Sequence, residues 1–288
     1  MQDFVTLFPW MTFAVAAVLG LLVGSFLNVV ILRLPQSLEQ EWKAQCCELL
    51  ELAPPKQHKV GLVFPASHCP KCHTPIKPWH NIPVISYLWL RGKCSSCQQA
   101  ISPRYPVIEL VSALLTVIVL WRLGFNTTGI TVVFISWALL ALTVIDIDTQ
   151  LLPDNITLPL LWAGLIANSF GLITDLPSAV WGAVAGYLSL WSVFWVFKIL
   201  TGKEGMGYGD FKLLAALGAW IGWQQLPLII ILSSLVGACI GIALIIIKGR
   251  DKNIPIPFGP YLAIAGWIAF LWGSELTSSY LQLTSYTH

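Results

Sequence analysis

Long apolar segments constrain the fold of this chain more than any other feature of its sequence. A helix needs about 20 mostly apolar residues to cross the hydrocarbon core of a bilayer. Only 10% of the residues are charged, whereas soluble domains carry about 25%. An open sheet would leave backbone groups unpaired in lipid. The sequence therefore predicts an all-α polytopic membrane protein.

We predict about eight transmembrane helices, and seven is the alternative because the sixth segment is short. The predicted spans are 11–32, 106–121, 129–146, 156–173, 178–200, 211–223, 226–247 and 258–274. The first ten residues contain no basic group, and no small-residue cleavage site follows them. We therefore expect the first span to be retained rather than removed as a signal peptide.

The basic residues indicate how these spans are oriented. With the N-terminus outside, 15 of the 16 Lys and Arg residues lie on the inner side, and Arg122 is the exception. Loops on the cytoplasmic side carry such an excess of positive charge. This distribution places the polar insertion after the first span, and the loop 201–210, in the cytoplasm.

Three regions follow from this pattern. They are a first transmembrane helix (1–34), a small cytoplasmic insertion (35–104) and a transmembrane bundle (105–288). In the insertion, the stretch from Pro35 to Pro55 is typical of a helix, with Ser37 as a possible cap and apolar residues at helical spacing. Such a helix could lie on the membrane or pack on its own domain, and we favour packing.

Four cysteines of the insertion have the spacing of a metal site. Cys69 and Cys72 form one C-x2-C pair, and Cys94 and Cys97 form another. Four thiolates at these spacings can surround Zn²⁺ as a tetrahedron. The cytosol keeps thiols reduced, which disfavours two disulfides, and a C-x2-C redox pair is the alternative. A closed four-sulfur site has no open position, so we expect a structural zinc.

Other potential ligands lie near this cluster or elsewhere in the chain. His68, His73 and His80 could replace a cysteine as ligand, but we interpret them as solvated loop residues. We assign no role to Cys46, Cys47 and Cys239, because free cysteines commonly behave as small apolar residues.

Acidic residues inside or at the ends of apolar spans are functional candidates, because they are costly there. They are Glu109, Asp146, Asp148, Asp154 and Asp210. Asp154 follows Pro153 at a predicted helix start, where the helix dipole favours an acid. Asp148 is expected to be solvated in a polar loop. Asp146 directly continues an apolar run, so neither explanation applies to it.

Asp210 lies in the sequence GMGYGDFK, after Gly207 and Gly209. Glycines allow a close approach of backbone, so a substrate could lie against this turn. Asp210 could instead cap the helix that follows. Asp146 and Asp210 are predicted at the same, cytoplasmic end of their spans. Two carboxylates that meet in a poorly hydrated place share one proton, as in aspartic proteases, where one activates water and the other protonates the leaving nitrogen.

Four motifs in order make the chain resemble the type IV prepilin peptidases over nearly its full length. They are GSFLNVVILRLP (24–35), the HCPKC to CSSC block with the PRYPVIEL that follows, DIDTQLLPD (146–154) and GYGDFK (207–212). The resemblance implies a membrane aspartic protease of the GxGD type, with Asp146 and Asp210 as its two catalytic acids. It also implies that the four cysteines bind the metal.

The implied substrates are type IV prepilins or the pseudopilins of type II secretion, cut at the cytoplasmic face of the bacterial inner membrane. The family then methylates the new N-terminus from S-adenosylmethionine. No motif in this chain marks a site for that methyl donor, although LRGKC (90–94) lies in the region to which the family assigns the activity. We expect membrane lipid as a further partner and no nucleic acid.

Three other functions compete with this interpretation. One is a peptidase that does not methylate. Another is an ion-coupled membrane transporter, although carrier sites usually lie near the midplane of the bilayer and not at one face. The third is a structural or redox membrane protein anchored by zinc, in which the aspartates only cap helices.

Overall fold

The protein is described here by a computed structural model that covers residues 9–52, 61–248 and 257–285. In these ranges the regular structure is helical, and β-pairing is confined to two isolated bridges. The predicted all-α fold class is therefore confirmed. The α-helices are α1 (Pro9–Leu49), α2 (Ile85–Trp89), α3 (Arg104–Leu123), α4 (Thr127–Thr149), α5 (Asp154–Ser169), α6 (Leu176–Thr201), α7 (Tyr208–Ile221), α8 (Leu226–Lys248) and α9 (Gly259–Ser285).

Each predicted span coincides, apart from its ends, with a helix of at least 14 residues. Five stretches in the described ranges are long and apolar enough to cross a membrane: α1, α3, α4, α6 and Trp223–Ala243, which is most of α8. Helices α5 and α7 have only 16 and 14 residues. At 1.5 Å per residue, a helix of 14 residues measures about 21 Å, less than the hydrocarbon thickness of about 30 Å.

Helix α1 differs from the sequence prediction. It continues without interruption through Pro35 to Leu49, so the insertion does not begin with a separate helix capped by Ser37. A proline inside a helix removes one backbone hydrogen bond and costs about 3 kcal/mol, which a helix of 41 residues can tolerate. The expected packing of the helix's second half is wrong too, because the side chains of Trp42 and Leu49 are exposed. Residues 53–60, with the predicted proline stop, lie outside the described ranges.

The chain forms two compact units, Met1–Phe125 and Asn126–His288. In the first unit, α1 packs on α3 at close range. A Cβ atom on Gly20 would lie 2.6 Å from the Cα of Ala113, and one on Gly24 would lie 2.6 Å from the Cα of Glu109. Small residues four apart are a common way for membrane helices to approach closely.

In the second unit, α7 is the central helix. Its residues from Asp210 to Ile221 are buried except Lys212, and it packs against α5, α6 and α9. The Nδ2 atom of Asn168 donates to the carbonyl oxygens of Ala219 and Trp220, 2.8 and 2.9 Å away, and thereby ties α5 to the end of α7. The N-terminal turn of α7, with the buried residues Asp210 and Phe211, therefore belongs to the core of this unit. The predicted division into regions 1–34, 35–104 and 105–288 concerns their roles and stays a prediction.

Candidate active site

Asp146 lies near the C-terminal end of α4, and only 5% of it is exposed. Its Oδ2 atom accepts a hydrogen bond of 3.0 Å from the backbone N–H of Gly259, the first residue of α9. A helix N-terminus carries free N–H groups and partial positive charge, which suits a carboxylate. A Cβ atom on Gly259 would lie 2.7 Å from this Oδ2 atom. The contact therefore requires glycine at position 259.

Asp210 lies in the first turn of α7, and 6% of it is exposed. The helix is capped by Gly207, whose carbonyl accepts from the N–H of Asp210 at 3.2 Å, and no side chain caps the helix. The alternative that Asp210 is an N-cap is therefore wrong. The rings of Phe194, Tyr208 and Phe211 contact one another around this turn, with centroids 5.2 to 5.6 Å apart. They fix the turn that presents the Asp210 carboxylate.

The two carboxylates converge in the second unit, close enough for their charges to interact. The side chain of Leu152 lies between the first turn of α7, which carries Asp210, and the start of α9, which hydrogen-bonds Asp146. Its Cβ is 2.7 Å from where a Cβ on Gly209 would lie, and its Cδ1 is 3.1 Å from where one on Gly259 would lie. The convergence of Asp146 and Asp210, which lie 64 residues apart, agrees with the sequence prediction.

The two glycines before Asp210 differ in their surroundings. Leu152 fills the space that a side chain on Gly209 would need. At Gly207 the nearest atom to an added Cβ is Oδ2 of Asp210, at 3.8 Å, and the φ angle of −83° suits any residue. A Cβ atom on Gly207 would therefore make only ordinary van der Waals contact with the carboxylate, whereas Gly209 is explained by packing.

The remaining acids predicted near the membrane have other surroundings. Both carboxylate oxygens of Asp154 accept from Lys212 Nζ at 2.7 Å, and Asp154 opens α5 as expected. Asp148 is exposed as expected, but it lies in the last turn of α4 and not in a loop. Glu109 belongs to the first unit, where its Oε2 atom accepts from the N–H of Val84 at 2.8 Å.

Sequence reasoning missed Gly259 and Leu152. Gly259 precedes Pro260, and proline is common in the first turn of a helix. Pro260 in the sequence therefore indicated a helix start at this point, and the free N–H groups of a helix start can bind an acid. Leu152 carried no signal, because a leucine next to an apolar span is ordinary.

The four cysteines come together in the first unit. The Sγ atoms of Cys69, Cys72, Cys94 and Cys97 all lie within 4.8 Å of one another, and those of Cys69 and Cys97 are 3.8 Å apart. Zn–S bonds of about 2.3 Å at tetrahedral angles separate the sulfurs by about 3.8 Å. Among the described residues, no histidine joins this cluster. The donor set fits a tetrahedral metal ion.

The two C-x2-C loops have the same backbone geometry, an internal repeat that we did not predict. The N–H groups of His73 and Gln98 donate to the carbonyls of Cys69 and Cys94, at 2.9 and 3.1 Å. His73 and Gln98 also share a positive φ, 55° and 58°. Two similar turns therefore present one pair of sulfurs each.

The thiols of this cluster do not ionise with equal ease. The hydroxyl of Thr74 lowers the pKa of Cys72 to about 6, and the backbone N–H groups of Cys97 and Ser96 lower the pKa of Cys94. The backbone N–H of Gln99 acts in the same direction on Cys97, but burial and the neighbouring thiols outweigh it and raise that pKa to about 11. Four thiolates in one place need a cation to balance their charge, and a bound metal ion would supply it.

Comparison with known proteins finds a family model for each half of the chain. Residues 18–123 match the model of the bacterial peptidase A24 N-terminal domain, and residues 133–242 match that of the type IV leader peptidase family. No solved structure matches the chain.

The relatives include proteins named prepilin leader peptidase/N-methyltransferase. The one from Pseudomonas aeruginosa is 60% identical over 269 residues, which is 93% of each chain. Those from Stutzerimonas stutzeri and Legionella pneumophila are 58% and 44% identical, over 93% and 95% of this chain and 93% and 96% of their own. Because each unit of the chain matches a model of this family and the relatives align over nearly their full lengths, the chain belongs to the type IV leader peptidase family.

Proposed function

We propose that this chain is a membrane aspartic endopeptidase that removes the leader of type IV prepilins or type II secretion pseudopilins, and that it then N-methylates the new N-terminus. One observation carries the peptidase half of this proposal. The buried carboxylates of Asp146 and Asp210, from helices α4 and α7, converge in one unit. Capping a helix requires no such pair.

The proposed chemistry follows from the properties of paired carboxylates. Like charges in a poorly hydrated site do not both ionise readily, so the pair holds one proton. The ionised member takes a proton from a water molecule as that water attacks the scissile carbonyl carbon. The protonated member donates its proton to the amide nitrogen as the peptide bond breaks. The pair acts as a unit, so neither acid alone is assigned the proton.

The surroundings of the pair support distinct roles for its neighbours. The N–H of Gly259 fixes the orientation of Asp146, because it hydrogen-bonds one of the two carboxylate oxygens. Gly207, where no atom comes closer than 3.8 Å to an added Cβ, would let the substrate backbone approach Asp210. Gly209, our other candidate for substrate contact, contributes by admitting Leu152.

The other parts of the proposal concern the zinc, the methyl donor and the orientation. Cys69, Cys72, Cys94 and Cys97 would hold a structural Zn²⁺ that stabilises the insertion. S-adenosylmethionine would be the methyl donor, at a site to which we assign no residues. The insertion and the two acids would lie at the cytoplasmic face of the inner membrane, with the N-terminus outside, and the excess of basic residues in the predicted inner loops supports this orientation.

The proposal is tested by cleavage of a purified prepilin with wild type, Asp146→Asn and Asp210→Asn. Each change keeps the shape of the side chain and removes its ionisable group, so we expect both variants to lose cleavage. Asp154→Asn is the matched control, because Asp154 also lies at a helix end but pairs with Lys212. We expect it to cleave normally.

Methylation is measured separately, with a leaderless pilin and S-adenosylmethionine. We expect the Asp146→Asn and Asp210→Asn proteins to methylate it, since methyl transfer does not need the acid pair. Cleavage by either variant would refute the proposal that Asp146 and Asp210 act as a catalytic pair. If the wild-type protein did not methylate the pilin, the proposed methyltransferase activity would be refuted and only the peptidase activity would remain.

A further inference from the structure

The segment 82–89 of the insertion presents apolar side chains to the outside. Ile82, Ile85, Leu88 and Trp89 are exposed, and for Leu88 and Trp89 the exposed fractions are 68% and 75%. Most of these residues belong to the short helix α2, and the side chain of Trp79 nearby is exposed as well. Soluble surfaces seldom group large apolar residues in this way, and such groups mark interaction sites.

This segment is attached to the end of a helix that can span the membrane. The N–H of Val84, directly before α2, donates to Oε2 of Glu109 at 2.8 Å. Glu109 lies five residues after Arg104, where α3 begins, which is about 7.5 Å along the helix axis. Amphipathic surface helices bury their apolar face about 5–10 Å into the boundary between headgroups and acyl chains. The hydrogen bond to Glu109 therefore holds helix α2 at the boundary between headgroups and acyl chains.

A second apolar stretch is attached to α1 in the same unit. Arg33 donates from one guanidinium nitrogen to the carbonyls of Gly61 and Leu62, at 3.1 and 3.3 Å. Val63 and Phe64, which follow, are exposed. Arg33 lies five residues beyond Asn28, and Asn28 donates to the carbonyl of Tyr105 at the start of α3. Both apolar stretches are thus anchored near the N-terminal end of α3 and the part of α1 beside it.

The charge of the insertion points to one kind of partner. No acidic residue occurs between Glu51 and Glu109. The same stretch contains seven basic residues, namely Lys56, Lys59, Lys71, Lys77, Arg91, Lys93 and Arg104. Three of these, Lys77, Arg91 and Lys93, flank the apolar segment. Basic residues close to a membrane attract anionic lipid headgroups. The basic leader of a prepilin would be repelled by this surface.

We infer that segment 82–89 is a lipid-docking surface, which lays the insertion onto an anionic phospholipid bilayer. Ile85, Leu88 and Trp89 enter the boundary of the acyl chains, and the flanking lysines and arginine contact headgroup phosphates. The hydrogen bond from Val84 to Glu109 determines how deeply helix α2 lies in the bilayer. This inference is independent of the proposed peptidase and methyltransferase activities.

Photo-crosslinking in a bilayer tests it. The full-length protein, with Leu88 replaced by p-benzoylphenylalanine, is reconstituted into vesicles of phosphatidylethanolamine and phosphatidylglycerol and irradiated. We expect an adduct with the mass of one phospholipid on the peptide that contains residue 88. Exchange of all phosphatidylglycerol for phosphatidylcholine should reduce the yield about fivefold for each basic residue in contact with headgroups.

Two further label positions serve as controls. Trp121 is exposed on the spanning helix α3 and should crosslink to lipid, whereas Ser96, exposed in the second C-x2-C loop, should not. A label at Ile85 repeats the test if the Leu88 protein elutes as an aggregate. The inference is overturned if residues 85 and 88 give no lipid adduct while residue 121 does. It is equally overturned if they crosslink to protein instead, or if exchange of the anionic lipid changes nothing.

Discussion

The orientation of the Asp146 carboxylate depends on residue 259 being glycine, which has no side chain. The N–H of Gly259 reaches the Asp146 carboxylate at 3.0 Å only because no Cβ atom lies between them. We expect Gly259→Ala to push the carboxylate away and to lower kcat for prepilin cleavage. A displacement of about 1 Å can cost about 100-fold in rate. Cleavage assays at saturating prepilin measure this effect.

Gly266→Ala is the matched control for this change. It adds the same methyl group to the same helix, α9, but its Cβ would meet the methyl groups of Leu217, 2.6 Å away. We expect this variant to lower the melting temperature and still to cleave at saturating substrate. Equal kcat values for Gly259→Ala and wild type would show that the contact does not orient Asp146.

Of the residues in the candidate site, the two acids could be predicted from the sequence, but the roles of the glycines beside them could not. Asp146 and Asp210 could be found because an acid at the edge of an apolar span stands out from its neighbours. The glycine that orients Asp146 lies 113 residues away along the chain, and its function depends on a contact that no local pattern encodes. The same holds for Gly209, whose role depends on Leu152.

At the scale of elements, the attachment of helix α2 to helix α3 depends on the Glu109 carboxylate. Val84 has a positive φ of 59°, which is costly for a β-branched residue, so its N–H bond to Glu109 must hold the segment in place. Glu109→Ala would leave this N–H without its acceptor. We expect a loss of about 1–3 kcal/mol in the stability of the segment. Hydrogen exchange of the peptide 82–93 measures this loss.

Glu109→Gln is the control, because its amide oxygen can accept the same bond. We expect exchange in this variant to stay close to that of wild type. Exchange that rises equally in the Gln and Ala variants would mean that the charge of Glu109, and not its acceptor oxygen, holds the segment.

The positions of the helices were largely predictable from the sequence, but the residues at which they begin and end were not. Within the described ranges, each apolar span predicted from the sequence lies in a helix, because lipid leaves a spanning chain few other conformations. Pro35 was a poor guide to the end of α1, since its cost is local and the helix gains from packing over a much longer stretch. The repeated C-x2-C turns were visible as spacing, but their shared backbone geometry appears only in three dimensions.

The two proposed sites lie in different units of the whole molecule. The cysteine cluster belongs to Met1–Phe125, whereas both acids and their neighbours Leu152 and Gly259 belong to Asn126–His288. The hydrogen bonds and packing contacts described here for Asp146 and Asp210 come from the second unit alone. The chemistry of cleavage should therefore not need the metal.

We expect Cys72→Ser to lose zinc, because three sulfurs and a hydroxyl hold the ion less well than four sulfurs, and zinc binding is coupled to the folding of such small sites. Its kcat for prepilin cleavage should stay close to that of wild type. Elemental analysis gives the zinc content, and a cleavage assay at saturating prepilin gives kcat. Cys239→Ser is the control that should keep the metal, since Cys239 lies outside the cluster. If a folded Cys72→Ser protein lost cleavage as completely as Asp146→Asn, the metal would have to take part in hydrolysis.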